Sequence, residues 1–374
     1  MKPLKNIEEI KQYIIESTNS DDLIFTGRAA TAFLIAFKAI INNVEIPNPE
    51  VILPAISCAT PANTALMAGL KPRFADVNLE NGLCTLQLIQ ERFNNNTVAV
   101  VFIHSFGNTQ DLISLRKWCD EKNLLLIEDI AQALGAYLPC GNPVGFYGDF
   151  SIYSFNPTKL IETGGGALLI KNIAFAKECH MAFKYFLSLY PNVSTKEKQA
   201  LAISYKSLHN GLTALDRIHA APKIDSFFLS LQKSFEPLYI LNFKQHENFV
   251  YEWNNIDCNN LERIEKADVY LNLLIKHRSI KSISDYQNSK VCWRYSILID
   301  NKTDLINISD KIRQDGFHVS NLYWPVNFFF NSNDICLNSY TFARRIINLW
   351  VDKSINKKYV EACSKSLIKH IEEN

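Results

Sequence analysis

Lys159 and Asp129 are the residues around which a chemistry can be built. Each follows an apolar run: LLLI at 124–127 leads into Glu128 and Asp129, and FSIYSF at 150–155 leads through Asn156, Pro157 and Thr158 to Lys159. In open, mostly parallel sheets ligands bind outside the carboxyl ends of the strands, so a carboxylate and an amine can meet there over one crevice. That pairing suits pyridoxal phosphate. A lysine amine forms the Schiff base, a carboxylate keeps the pyridine nitrogen protonated so that the ring can accept electrons, and the freed amine can shuttle a proton. Ser154 is placed to bind the phosphate. Gly27-Arg28-Ala29-Ala30 opens a helix whose first N–H groups and positive dipole end favour an anion, with Arg28 beside it as a second anion contact. Each piece alone has a plainer reading: a lysine after a strand is usually a solvated side chain, and an aspartate there is usually a cap or turn former. The ordered set is what points to chemistry.

The elements that must position these groups follow from periodicity. Ile7, Ile10 and Ile14 mark an opening amphipathic helix, and Ala29, Ala30, Phe33, Ala36, Phe37 and Ile40 a second. Strands are expected at 51–53, 73–77, 98–103, 124–128, 150–155 and 167–170, with helices near 62–67, 86–93 and 112–121, the order of successive βα units. The stretch from about 171 to 256 reads as mainly helical. Strand signals return at 292–299 and 346–350, with helices at 305–314 and 359–371. The expected fold is α/β, with a large cofactor-binding domain at 1–250, built on a mostly parallel sheet covered by helices, and a small α+β domain at 251–374.

Composition narrows the partners. Thirty-nine Lys plus Arg stand against 38 Asp plus Glu, which gives no footprint for nucleic acid or an anionic membrane. The charged first residues and the lack of a long apolar run argue against a secretory leader or a membrane span, so a cytoplasmic protein is expected. The nine cysteines include no C-x-x-C pair, so neither a metal site nor a disulfide framework is indicated.

The run from Gly27 to Lys171 resembles the DegT-type nucleotide-sugar aminotransferases. The phrases that carry the likeness are VILPAISCATPANTALMAGLKPRFADVN at 51–78, VAVVFIHSFGNTQDL at 98–112, LLLIEDIAQALGA at 124–136 and GDFSIYSFNPTK at 148–159. The resemblance implies a pyridoxal-phosphate transferase of fold type I. It makes Lys159 the Schiff-base lysine, Asp129 the partner of the pyridine nitrogen, Gln132 the neighbour of the ring hydroxyl and Ser154 a phosphate ligand. Ala29 and Ala30 would contribute backbone N–H groups at the phosphate. The implied reaction moves an amino group, from L-glutamate by resemblance, to a keto group of a nucleotide-linked sugar, in a homodimer, for polysaccharide or glycoside biosynthesis.

Three departures from the family pattern stand out. Cys58 takes the place where many members carry an aromatic against the cofactor ring; Gly164-Gly165-Gly166 lacks the family's glutamate; and the segment reaching the neighbouring protomer's phosphate is not recognisable, SFEPLYIL at 234–241 being its candidate counterpart. Two alternatives therefore stay open: a sugar dehydratase, whose branch resembles this one with histidine at the lysine position, and a catalytically idle relative with a binding role. His104 reads equally as a substrate contact or a structural histidine, and Glu128 as a residue that only precedes Asp129.

Overall fold

The computed structural model describes residues 3–189, 196–197, 199–204, 207, 244, 246–300, 304–321, 325–330 and 332–373. A seven-stranded sheet organises the first half: β1 (Asp22–Thr26), β2 (Glu50–Pro54), β3 (Lys71–Ala75), β4 (Thr97–Ile103), β5 (Leu125–Asp129), β6 (Phe150–Ser154) and β7 (Gly166–Ile170), in the order β1-β7-β6-β5-β4-β2-β3. β3, β2, β4, β5 and β6 run parallel, whereas β7 is antiparallel to both β6 and β1. Central strands such as β4 and β6 are buried at every residue, which is why they read as unbroken apolar runs rather than alternating ones.

Helices cover this sheet. Ala29–Ile41, expected to be amphipathic, is buried at every position from Ala30 to Phe37 and again at Ala39 and Ile40. A helix apolar all round is a core helix, and each buried Phe or Ile contributes about 1.5–3 kcal/mol of transfer free energy. Asn6 caps Ile7–Thr18 through its side chain, which accepts the Glu9 N–H. Among the described residues no helix is long and apolar enough to cross a membrane.

A second sheet gathers β8 (Ile280–Ser282), β9 (Tyr295–Ile299), β10 (Val319–Asn321) and β11 (Ile346–Leu349), all antiparallel, in the order β10-β11-β9-β8. The strand expected over 292–299 begins only at Tyr295, so Cys292, Trp293 and Arg294 approach the strand without belonging to it. β1 and β8 were not foreseen, whereas β10 falls within DGFHVSNLYWPV at 315–326, a stretch that resembles the family's small-domain strands. Much of the expected helical stretch between 171 and 256, and SFEPLYIL at 234–241, lie outside the described residues.

Candidate active site

The carboxyl ends of β4, β5 and β6 form one edge, where Ile103 pairs with Asp129 and Asp129 with Ile152. Asp129 ends β5 and is only 6% exposed. Its Oδ1 accepts the Ala131 N–H at 2.9 Å, and no protein donor among the described residues engages its other oxygen. Burial pushes this carboxyl above its ordinary value, opposed by the Ala131 N–H and by the charges of Lys159 and His104. Lys159 and Asp129 therefore act on each other electrostatically. A buried carboxylate in this state has much to gain from a cationic ligand.

Gln132 sits one turn beyond Asp129. Its Oε1 accepts the Phe106 N–H at 2.6 Å, which leaves the amide's two N–H donors for a ligand oxygen. Phe106 reaches this position with φ at 65°.

His104 follows β4 and is fully buried, as is Glu128. Its Nε2 lies 3.1 Å from Glu128 Oε2, while Nδ1 has no partner among the described residues. Glu128 also accepts the N–H groups of Gly145 at 2.9 Å, Tyr147 at 2.7 Å and Gly148 at 2.6 Å. Burial alone would raise its pKa, but the His104 ring and the Gly145 and Gly148 N–H groups outweigh burial and hold it below the ordinary value. Glu128 thus does more than precede Asp129: it folds the 145–148 loop against β5. His104 has the structural environment and not an open one.

Lys159 lies on the loop between β6 and β7, half-buried, with Nζ 5.9 Å from the centre of the Trp293 ring. Thr158, just before it, holds φ at 73°, a conformation that persists in a non-glycine residue only when its surroundings impose it. The Thr158 N–H donates to Glu162 Oε1 at 3.0 Å. Where the family phrase has its glutamate this chain has Gly165, whose φ of 97° is one that side chains rarely adopt; the loop's own carboxylate comes from Glu162 instead.

Register brings together the residues expected at the phosphate. Thr26 and Ser154 both pair with Gly166, in one row across β1, β7 and β6. Ser154 is 6% exposed, and its hydroxyl makes no hydrogen bond within the described residues. β1 leads directly to Arg28, which takes the N-cap position of Ala29–Ile41 without capping it through its side chain, so the Ala29 and Ala30 N–H groups lack intrahelical acceptors. The close approach is tight: a Cβ on Gly166 would lie 2.6 Å from the Ala29 nitrogen and 2.7 Å from the Tyr153 oxygen. Cys58 is exposed in the turn after β2.

These groups fit pyridoxal phosphate: a carboxylate with a free oxygen, an amide with free donors, an amine nearby, and a hydroxyl beside a helix start. Sequence reading missed Trp293, Asn259, Arg263 and Glu162, all of which touch the lysine loop or its holders. Only Glu162 lies near it in sequence.

The model of the DegT/DnrJ/EryC1/StrS aminotransferase family matches residues 5–207. A GDP-perosamine synthase of Vibrio cholerae is 37% identical over 123 residues, 33% of this chain and 33% of that protein. A UDP-N-acetyl-3-dehydro-alpha-D-glucosamine 3-aminotransferase of Acidithiobacillus ferrooxidans is 32% identical over 141 residues, 37% of each chain. The matched stretch thus spans little more than a third of these curated relatives. The solved structure of an aminotransferase of Helicobacter pylori involved in the biosynthesis of pseudoaminic acid aligns over 100% of this chain and 94% of its own, with TM-score 0.74 and 18% identity. NtdA of Bacillus subtilis, solved with bound cofactor PMP, aligns over 98% of this chain and 77% of its own, with TM-score 0.69 and 19% identity. At those identities the structural likeness is one of fold. With more than half of its residues inside the family model, the chain belongs to the DegT/DnrJ/EryC1/StrS aminotransferase family.

Proposed function

We propose that the chain is a pyridoxal-phosphate-dependent aminotransferase that moves an amino group from L-glutamate to a keto group of a nucleotide-linked sugar, working as a homodimer. The observation that carries this reading is the placement of Asp129, buried with one oxygen unengaged among the described residues, at the carboxyl end of β5, beside β6, whose following loop carries Lys159. When bound, pyridoxal phosphate supplies the electron sink for the transfer. Lys159 holds it through the amine, and then carries a proton to and from the substrate carbon. Asp129 keeps a proton on the ring nitrogen, Gln132 donates to the ring oxygen, and Ser154 with the Ala29 and Ala30 N–H groups takes the phosphate, Arg28 adding positive charge beside it. Cys58 packs against the ring with less surface than an aromatic would offer. The proposed units 1–250 and 251–374 put Lys159 in one and Trp293 in the other.

The sugar class comes from the names of the relatives, which carry GDP, UDP or dTDP sugars. Lys159 favours transamination over dehydration. The test is incubation with a nucleotide-linked keto sugar, pyridoxal phosphate and 15N-labelled L-glutamate. Label recovered in an amino sugar is expected; purified, folded protein that binds no pyridoxal phosphate, or a sugar product without nitrogen, overturns the reading.

A further inference from the structure

Two backbone carbonyls flank Lys159, and each is held by a side chain from the C-terminal part of the chain. Trp293 Nε1 donates to the Thr158 carbonyl at 2.7 Å, and Asn259 Nδ2 donates to the Leu160 carbonyl at 2.7 Å. One residue joins the two holders. Arg263, on the helix Ile256–Leu274, donates through Nε to Asn259 Oδ1 at 3.0 Å and through a terminal nitrogen to the Trp293 carbonyl at 3.1 Å.

Arg263 is only 2% exposed, and a cation in so dry a place is costly unless its donors are used. They go to an amide oxygen and a carbonyl, not to a carboxylate. Burial, and then the neighbouring Arg294, lower its pKa to about 10. The charges of Asp352 and Glu162 reach it only electrostatically, with no ion pair among the described residues, and its hydrogen bonds go to Asn259 and Trp293. Thr158, whose carbonyl is the first of those two anchors, shows the same constraint from the loop's side, because its backbone is held in a left-handed conformation it would not choose. The Trp293 ring beside Lys159 Nζ further limits where the amine can swing.

We propose that Arg263 is a positioning residue for Lys159: through Asn259 and Trp293 it fixes the carbonyls on either side of the lysine and so aims the amine at the aldehyde it must capture. This rests on Lys159 being the cofactor lysine. The clamp acts only on covalent capture, so it should be visible as a difference between two ligands. Pyridoxal phosphate can condense with Lys159, whereas pyridoxamine phosphate makes every other contact and cannot. The ratio of their affinities isolates what the aimed amine contributes.

The experiment measures both dissociation constants by fluorescence titration of wild type, Arg263→Met, Asn259→Ala, Trp293→Phe and Lys159→Ala. Because Arg263 is buried and its variant can fail to fold, Asn259→Ala at a partly exposed position and Trp293→Phe, which keeps a smaller aromatic ring and loses the N–H, carry the decision. Each is expected to reduce the preference for pyridoxal phosphate about three- to tenfold, the worth of one net hydrogen bond, with pyridoxamine phosphate affinity unchanged. Affinities that fall together, or a preference that stays at the wild-type value while Lys159→Ala abolishes it, overturn the clamp. A preference that survives in Lys159→Ala overturns instead the reading of Lys159 on which the clamp rests.

Discussion

Glu128→Gln removes one charge from a fully buried site while keeping the side chain's shape, so its consequence can be worked bond by bond. In the native protein Oε1 receives the Tyr147 and Gly148 N–H groups, and Oε2 receives the Gly145 N–H and faces His104 Nε2. The amide's single oxygen can keep the Tyr147 and Gly148 pair. Its NH2 then points at His104 and at the Gly145 N–H. His104 can adapt, because Nδ1 has no partner and can take the proton, leaving Nε2 to accept. The Gly145 donor cannot adapt. One orphaned buried donor costs about 1–3 kcal/mol, and two surviving bonds lose the strengthening a charged acceptor gives, so the variant should be destabilised by about 2–4 kcal/mol at pH 7. Urea unfolding followed by tryptophan fluorescence reads this. The pH dependence follows from the direction of the shift: the folded carboxyl titrates below its ordinary value near 4.5, so its stabilisation is complete above that value and is lost as pH falls through the depressed one. The gap between wild type and Glu128→Gln should therefore be constant from pH 7 to about 5 and narrow below. A gap under about 0.5 kcal/mol at pH 7, or one that does not narrow in acid, refutes the account of Glu128 as the ionised anchor of the 145–148 loop.

Asp129→Asn should leave the fold intact and lower turnover about 10²–10³-fold, the scale of losing one preorganised electrostatic partner; steady-state rates within a factor of about three of wild type would remove Asp129 from the ring nitrogen. Gly166→Ala forces a Cβ to within 2.6 Å of the Ala29 nitrogen, so overpacking by about 1–3 kcal/mol and weaker pyridoxamine phosphate binding are expected together, checked by thermal unfolding and titration. Cys58→Tyr should tighten pyridoxamine phosphate by about 0.5–1.5 kcal/mol if the turn after β2 faces the ring, read by the same titration.

The parts of the fold that were legible are those in which local pattern and tertiary role coincide. β4, β5 and β6 are buried on both faces and announce themselves as apolar runs, and Asp129 and Lys159 stand where such runs stop. β1 was missed because it is a five-residue edge strand, antiparallel to β7, squeezed between the helices Ile7–Thr18 and Ala29–Ile41, whose stronger helical periodicity masks it. The helix Ala29–Ile41 showed apolar residues at helical spacing, yet the residues between them are buried too. Trp293 was absorbed into a strand whose first residue is two positions later. The holders of the lysine loop left no local trace at all: Asn259 and Trp293 lie 99 and 135 residues from the carbonyls they hold, and a hydrogen bond to a backbone carbonyl asks nothing of the receiving side chain.

That distance has a consequence for how the departures from the family phrases are weighed. The missing glutamate and the thiol at Cys58 both look like losses when each phrase is compared alone. In three dimensions the loop is tied elsewhere: Glu162 meets the Thr158 N–H, Trp293 and Asn259 meet the flanking carbonyls, and Gly165 holds φ at 97°, a conformation in which a glutamate would be strained. A loop so fastened depends on the second sheet's approach segment to keep its lysine in place. Restoring family residues one at a time should therefore be costly at position 165, where a side chain would strain the left-handed backbone, and be tolerated at Cys58, where the turn is exposed and the substitution only adds surface.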